Sequence, residues 1–386
     1  MRHRVYLSPG MFGFGQLGSY NYFAHVEREL TARFAAAGHE LVAHAIDAPP
    51  TASIRRRASG LAEIVAQTSE HDVIHLLGHS TGGLDARLVA SPATRAIPAT
   101  TLGWLPRLRS ITTMNTPHFG TPLASFFATA NGQRVLAALS VLTVAGLSLG
   151  AQPLAAASAL LGFLRGLDRP FLFKLRLLEL AIESMVGIID DARHPSVRVF
   201  LSAIEDDQGS MVQLSPESMD LVVAGFEDRP GVAYQSTASM SPSPRPRRWL
   251  ETVGHPWRAV SLSLFYALHR LTALHDPRYP CAAMRDTAPW SGDDNEALLT
   301  RVFAGTLPLD ANDGVVPLRS QLWGRLVWVG FGDHLDVLGH YHDKRAPSTI
   351  DAAHRHRDWL TSGSDFGDAD LTSLMDAVAA GMLGAC

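Results

Sequence analysis

Cysteine and lysine are nearly absent from this chain of 386 residues. Cys281 and Cys386 are the whole thiol inventory, so no disulfide framework organises the fold, and a chain of this size needs none. Lysine occurs only at Lys174 and Lys344; the other basic residues are arginine, a bias of composition and not of mechanism. The formal net charge is −4, with no block of either sign. That argues against a nucleic-acid partner and leaves electrostatics silent on any substrate. The opening Met1-Arg2-His3-Arg4-Val5-Tyr6-Leu7 holds too short an apolar run for a signal-peptide core. The expectation is a protein inside the cell or a mature form whose leader has been removed.

Apolar material is abundant, at 46% hydrophobic against 18% charged, enough for a sizeable core in one large domain or two. The first third alternates strands and helices. Arg4–Leu7 is a strand running into the turn Pro9-Gly10-Met11-Phe12-Gly13. Tyr22–Ala37 places Phe23, Val26, Leu30 and Phe34 at helical spacing and stops at Gly38. Strand Glu40–Ile46, helix Ile54–Gln67, strand Asp72–Leu77, helix Gly82–Val89 and strand Ser110–Asn115 follow. This order predicts an α/β class with a mostly parallel sheet covered by helices on both faces.

From Val135 to Leu164 no charged residue occurs. The stretch is long enough for a bilayer, but Gly146, Gly150, Gln152 and Pro153 interrupt it and no polybasic flank orients it. Two apolar cap helices broken near Gly150–Pro153 are the better reading, with no stable membrane span. Phe171–Ile189 reads as a further cap helix, Val197–Ala203 and Gly231–Ser239 as strands, Ser241–Arg248 as a Pro/Arg-rich linker and His255–His275 as a helix. Arg325–Gly330 is the last strand, before closing helices near Thr349–Leu360 and Ala369–Met382. The expected division is a core of residues 1–125 and 190–386, a cap of 126–189 and a candidate second insertion at 243–290.

The chemistry concentrates at Gly78-His79-Ser80-Thr81-Gly82. G-x-S-x-G alone is weak; here it follows a strand and opens a helix, the context of a nucleophile elbow. The turn is expected to lift the Ser80 hydroxyl over the carboxyl end of the sheet, with Gly78 and Gly82 bare of Cβ to avoid their neighbours. A serine needs a base and an orienting acid, and in the α/β-hydrolase fold they follow in the order acid, then histidine. Asp313, in Asn312-Asp313-Gly314, and His334, just after the last strand, fill those places. The backbone N–H groups of Met11 and Thr81 are the candidate oxyanion hole. His79 is expected to point away from the nucleophile and pack, and His118 to brace a loop. His340, His342 and Asp343 lack a convincing zinc spacing, and Asp333 is a weaker orienting acid than Asp313 because it is adjacent to His334.

Together these segments resemble the secreted bacterial true lipases of the Pseudomonas and Burkholderia type. The resemblance is carried by Gly10-Met11-Phe12-Gly13-Phe14, Leu77-Gly78-His79-Ser80-Thr81-Gly82-Gly83, Thr116-Pro117-His118-Phe119-Gly120-Thr121, Ala311-Asn312-Asp313-Gly314-Val315-Val316 and His334-Leu335-Asp336. It covers 1–125 and 300–345 well and the middle poorly. It implies Asp313 and His334 as partners of Ser80, no cofactor for catalysis, and a structural calcium ion held by Asp293 (or Asp294), Asp336 and carbonyls near His340 and Lys344. The sequence departs from the pattern at Pro9, where histidine is usual. Cys281 also lacks the family's disulfide partner, since Arg319 stands in that place.

The resulting expectation is a serine carboxylester hydrolase for hydrophobic acyl esters, with a lipid–water interface as one place to meet them. A polyester depolymerase and an acyltransferase or thioesterase use the same machinery. A catalytically silent, lipid-binding hydrolase fold is the reading from another class. Oligomeric state is not legible.

Overall fold

The computed structural model describes residues 1–11, 16–17, 20–95, 97–149, 154–164, 199, 202–204, 207–242, 246–274, 278–279, 292–304, 307–341 and 361–386. Six strands form one sheet: β1 Arg2–Ser8, β2 Glu40–Ala45, β3 Val73–His79, β4 Leu108–Met114, β5 Ala233–Met240 and β6 Arg325–Phe331. Their spatial order is β2-β1-β3-β4-β5-β6, and every neighbouring pair is parallel. This is the α/β-hydrolase arrangement anticipated above. Parallel strands must be buried on both faces, and β1 obeys: Val5 and Leu7 enter one core while Tyr6 enters the other.

Helices α1 Ala24–Ala36, α2 Ile54–Thr68 and α3 Thr81–Ala90 carry the early crossovers. Helix α1 sets Val26, Leu30 and Phe34 against Val5 and Leu7. Each such buried side chain contributes about 1.5–3 kcal/mol relative to exposure. The helix ends where Gly38 turns left-handed at φ 78°. Helices α2 and α3 cover the other face through Leu61, Val65, Ala86 and Val89.

Past β4 come α4 Pro122–Phe127, α5 Ala130–Leu149, α6 Leu154–Leu164 and α7 Pro216–Ala224. Two apolar helices therefore occupy the uncharged stretch, although the first begins five residues before Val135. The expected break at Gly150–Pro153 and the expected helices Phe171–Ile189 and Thr349–Leu360 lie outside the described residues. Among the described residues no helix is long and apolar enough to cross a membrane.

Helices α8 Pro256–Thr272, α9 Asp293–Phe303 and α10 Asp368–Leu383 complete the chain. Two expectations fail. Val199, Ser202 and Ala203 of the supposed strand Val197–Ala203 are helical, and part of the supposed linker Ser241–Arg248 is the short helix Pro246–Leu250. In the first a brief apolar run reads equally well as either element. In the second Pro246 sits at the first helical position, where its missing N–H costs nothing.

The chain turns from β1 to β2 on one side and from β3 to β4 on the other. The carboxyl ends of β1 and β3 therefore flank a switch point, where ligands settle in open α/β sheets. A fully buried ion pair holds this region: Arg57 of α2 meets Asp85 of α3 at 2.8 Å, and Asp85 also accepts from Ser8 Oγ at 3.0 Å. Arg57 further donates to the carbonyls of Pro9 and Pro49. Asp85→Ala should cost on the order of 3–5 kcal/mol in urea denaturation, because it strands a buried guanidinium. Pairing Arg57→Met with Asp85→Leu should cost less than that single change.

Candidate active site

Strand β3 delivers Ser80 in a backbone conformation that few side-chain-bearing residues adopt, φ 54° and ψ −128°. Such a conformation costs on the order of 1–3 kcal/mol and persists only where its surroundings enforce it. Here the enforcement is steric. A Cβ on Gly78 would lie 2.2 Å from backbone atoms of Gly82 and Gly83, and one on Gly82 would lie 2.0 Å from the Ser8 carbonyl oxygen. A Cβ on Gly10 would meet Ser80 Cβ at 2.6 Å, so the turn after β1 lies directly against the elbow. The Ser80 N–H is tied to the Met114 carbonyl of β4 at 2.8 Å.

Asp313 and His334 come together as the sequence reading placed them. His334 Nδ1 donates to Asp313 Oδ2 at 2.7 Å. Asp313 is fully buried, and its other oxygen accepts from Val315 N at 2.9 Å and Val316 N at 2.7 Å. Both carboxylate oxygens accept, so the imidazole proton belongs on Nδ1 and Nε2 is left as the basic nitrogen. The backbones are joined too, His334 N donating to Asp313 O at 3.0 Å.

Sequence reasoning missed Asn115. Buried at the end of β4 with φ 49°, it donates from Nδ2 to Asp313 Oδ2 at 2.9 Å and to Ser239 Oγ at 2.7 Å. Asparagine is among the few residues that tolerate a left-handed backbone. An Asn ending a central strand was therefore the available signal.

His79 packs, as expected, but it also works on the site. Its Nε2 donates to the His334 carbonyl at 2.8 Å, so its Nδ1 accepts from the Tyr22 hydroxyl, also at 2.8 Å. Tyr22 in turn accepts from the Gly10 N–H. The ring of His79 lies 4.7 Å from that of His334. Burial, then the nearby His334, hold the His79 pKa well below the usual histidine value, which keeps it neutral. A bonded path thus runs from the turn after β1 to the backbone of His334. His118 is buried between Arg87 at 2.9 Å and Thr113 Oγ1 at 3.1 Å, and its N–H donates to Ser320 O, so it braces the segment after β4.

Ser80, Thr81, Met11, Asp313 and His334 all line one cavity of about 970 Å³, part of it open to solvent. Thr81 is the first residue of α3, where an N–H has no partner one turn earlier in its own helix. The roof is apolar: Phe127 from α4, Leu139 from α5, and Phe265 and Leu268 from α8.

Asp333 also lines this cavity but does not reach the imidazole. Its Oδ1 accepts from Leu335 N at 2.8 Å and Asp336 N at 2.9 Å, closing the turn that carries His334. Burial pushes its pKa up to about 6, against the lowering effect of its hydrogen bonds, and the charge of Asp313 adds to the rise.

The aspartates inferred from resemblance as calcium ligands do not come together. Asp293 and Asp294 are exposed at the start of α9. That end of the helix is fixed to the beginning of β6, since Asn295 bonds Gly324 O and Leu326 N. Asp336 lies beyond the other end of the strand, buried, its Oδ2 accepting from Asp333 N at 2.8 Å and Ser364 Oγ at 2.6 Å. The seven residues of β6 separate the two positions by roughly 20 Å. His340 turns its ring to the Tyr22 carbonyl at 3.1 Å, and Lys344 lies outside the described residues. Neither Asp293 nor Asp294 therefore fits a calcium ion shared with Asp336.

Two measurements check these contacts. Tyr22→Phe should lower stability by about 1–3 kcal/mol in guanidinium denaturation, since it strands the Gly10 N–H and His79 Nδ1 in a buried place. The folded Asp333 binds its proton more tightly than the unfolded chain, whose value is 3.8. Its stabilising contribution is therefore full below about pH 4 and lost as the pH rises through about 6. Against Asp333→Asn, wild type should lose on the order of 3 kcal/mol of relative stability across that window. Parallel pH–stability curves for the two proteins would refute the shift.

No family model matches the chain, and no curated protein matches it. Among solved structures it is similar to a metagenomic carboxyl esterase, MGS0156, at 14% identity and a TM-score of 0.45, covering 99% of this chain and 76% of that one. EstA from Clostridium botulinum aligns at 17% identity and a TM-score of 0.46 over 96% of this chain and 87% of its own. The mature Bacillus licheniformis lipase BlEst2 aligns at 13% identity and a TM-score of 0.41, over 87% and 86% of the respective chains.

Proposed function

We propose that the protein is a serine carboxylester hydrolase acting on esters with a hydrophobic acyl group. One observation carries the reading: a serine in a strained strand-to-helix elbow shares its cavity with an imidazole whose Nδ1 is bonded to a buried carboxylate.

In the proposed reaction Ser80 Oγ attacks the ester carbonyl while its proton passes to His334 Nε2. Asp313 keeps the other imidazole proton in place and stabilises the imidazolium. Asn115, bonded to the same carboxylate oxygen as His334, fixes the direction of that carboxylate. The N–H groups of Met11 and Thr81 receive the negative charge that develops on the carbonyl oxygen. His334 then protonates the departing alcohol, and a water activated by the same nitrogen cleaves the acyl-serine to acid and free Ser80. The apolar roof of Phe127, Leu139, Phe265 and Leu268 suits an alkyl or aryl acyl chain, and among the described lining residues there is no basic counter-ion for a carboxylate-bearing one.

Ser80→Ala should lower turnover of p-nitrophenyl esters by roughly 10⁴–10⁶-fold with its unfolding midpoint within a few degrees of wild type. A fluorophosphonate probe should label Ser80 in wild type and nothing in the variant. Turnover retained by the folded variant would refute the assignment, and an unlabelled, inactive wild type would favour a silent lipid-binding fold.

A further inference from the structure

At the opposite edge of the sheet, two imidazoles and a thiol converge without any part in ester chemistry. His3 lies near the start of β1, His75 near the start of β3, and Cys386 follows α10. Their ligand-capable atoms lie within 4.8 Å of one another. The strand register explains the approach: Val5 pairs with His75, so His3, two residues earlier, projects from the same face.

We propose that His3 Nδ1, His75 Nε2 and Cys386 Sγ form a binding site for a thiophilic divalent metal ion, Zn2+ above all. The donor set is two imidazoles and a thiolate, which selects zinc over calcium or magnesium. Tetrahedral zinc holds nitrogen donors about 3.3 Å apart and nitrogen and sulfur about 3.6 Å apart. The observed separations are 3.0 Å for His3 Nδ1 to His75 Nε2 and 4.0 Å for His3 Nδ1 to Cys386 Sγ. Shifts of a few tenths of an ångström bring these two pairs to those values, and His75 Nε2 lies within 4.8 Å of Cys386 Sγ.

The outer nitrogens are already engaged in the way metal-binding imidazoles require. His75 Nδ1 meets Ser110 Oγ at 2.7 Å, and His3 Nε2 meets His39 Nδ1 at 3.2 Å. Each leaves the inner nitrogen as the one aimed at the shared point. When the ion binds, the proton between the imidazoles moves to an outer nitrogen and the thiol proton leaves to solvent. Both histidines are buried and Cys386 is exposed, which gives the ion a path in from solvent, and a water would serve as the fourth ligand. The bound ion would tie the segment that follows α10 to β1 and β3, about 16 Å along the strand from Ser80. It would be a clasp and not part of the catalytic centre.

A tag-free preparation of the full chain, stripped with chelator, should take up one Zn2+ per chain in equilibrium dialysis and rise in melting temperature. Loading with Co2+ should give a thiolate-to-cobalt charge-transfer band. Cys386→Ser, at an exposed position, should fold normally, lose that band and bind Zn2+ roughly tenfold or more weakly. His3→Gln should weaken binding similarly and keep the band. Absence of stoichiometric binding by wild type would overturn the proposal, as would unchanged affinity and an undiminished band in Cys386→Ser.

Discussion

The ends of β1 and β3 approach so closely that there is no volume for side chains between them, and the rest of the site follows from that contact. Gly78 and Gly82 let the elbow fold back on itself and on Ser8, and Gly10 lets the turn after β1 lie on Ser80. Once these backbones touch, Ser80 has no relaxed alternative conformation, and α3 must start at Thr81. The Arg57–Asp85 pair locks the same junction from below, reaching the Ser8 hydroxyl and the Pro9 carbonyl. Charge and steric exclusion act on the same few backbone atoms.

A second layer of order comes from polar groups spanning distant parts of the chain. Asp313 collects four donors, two from its own turn and two from Asn115 and His334. His79 connects Tyr22 with the His334 carbonyl, joining segments separated by 57 and 255 residues. A buried network of this kind is stiff where its members are satisfied; the carboxylate of Asp313 and both ring nitrogens of His79 are, while Asn115 Oδ1 is buried without a partner among the described residues.

Much of this was legible in the sequence where chain order carries the information. The alternation of strands and helices, the elbow at Ser80, and the pairing of Asp313 with His334 follow from local pattern and from the order in which loops reach one edge of a parallel sheet. Asn115, Tyr22 and His79 were not legible as site residues, because their roles depend on which strand ends lie side by side. The calcium ligands illustrate the opposite error. Counting from a resemblance put Asp293 near Asp336, whereas the apolar side of α9, through Leu299, packs on Leu326 and Val329 of β6 and carries Asp293 to the far end of that strand. The short run at Val197–Ala203 had no periodicity to choose between strand and helix.

The roof of the cavity differs from its floor in kind. Helices α4, α5 and α8 supply hydrocarbon to the lining and, in Thr143, a hydroxyl already bonded to the Leu139 carbonyl. Among the described residues, every ionisable group that lines the cavity comes from segments at the carboxyl edge of the sheet or from Tyr22. Reshaping the roof therefore changes volume and contour while leaving these ionisable groups in place. If the proposed ester chemistry holds, selectivity for the acyl group and the power to break its bond would be separable, open to independent variation by exchange of one set of helices.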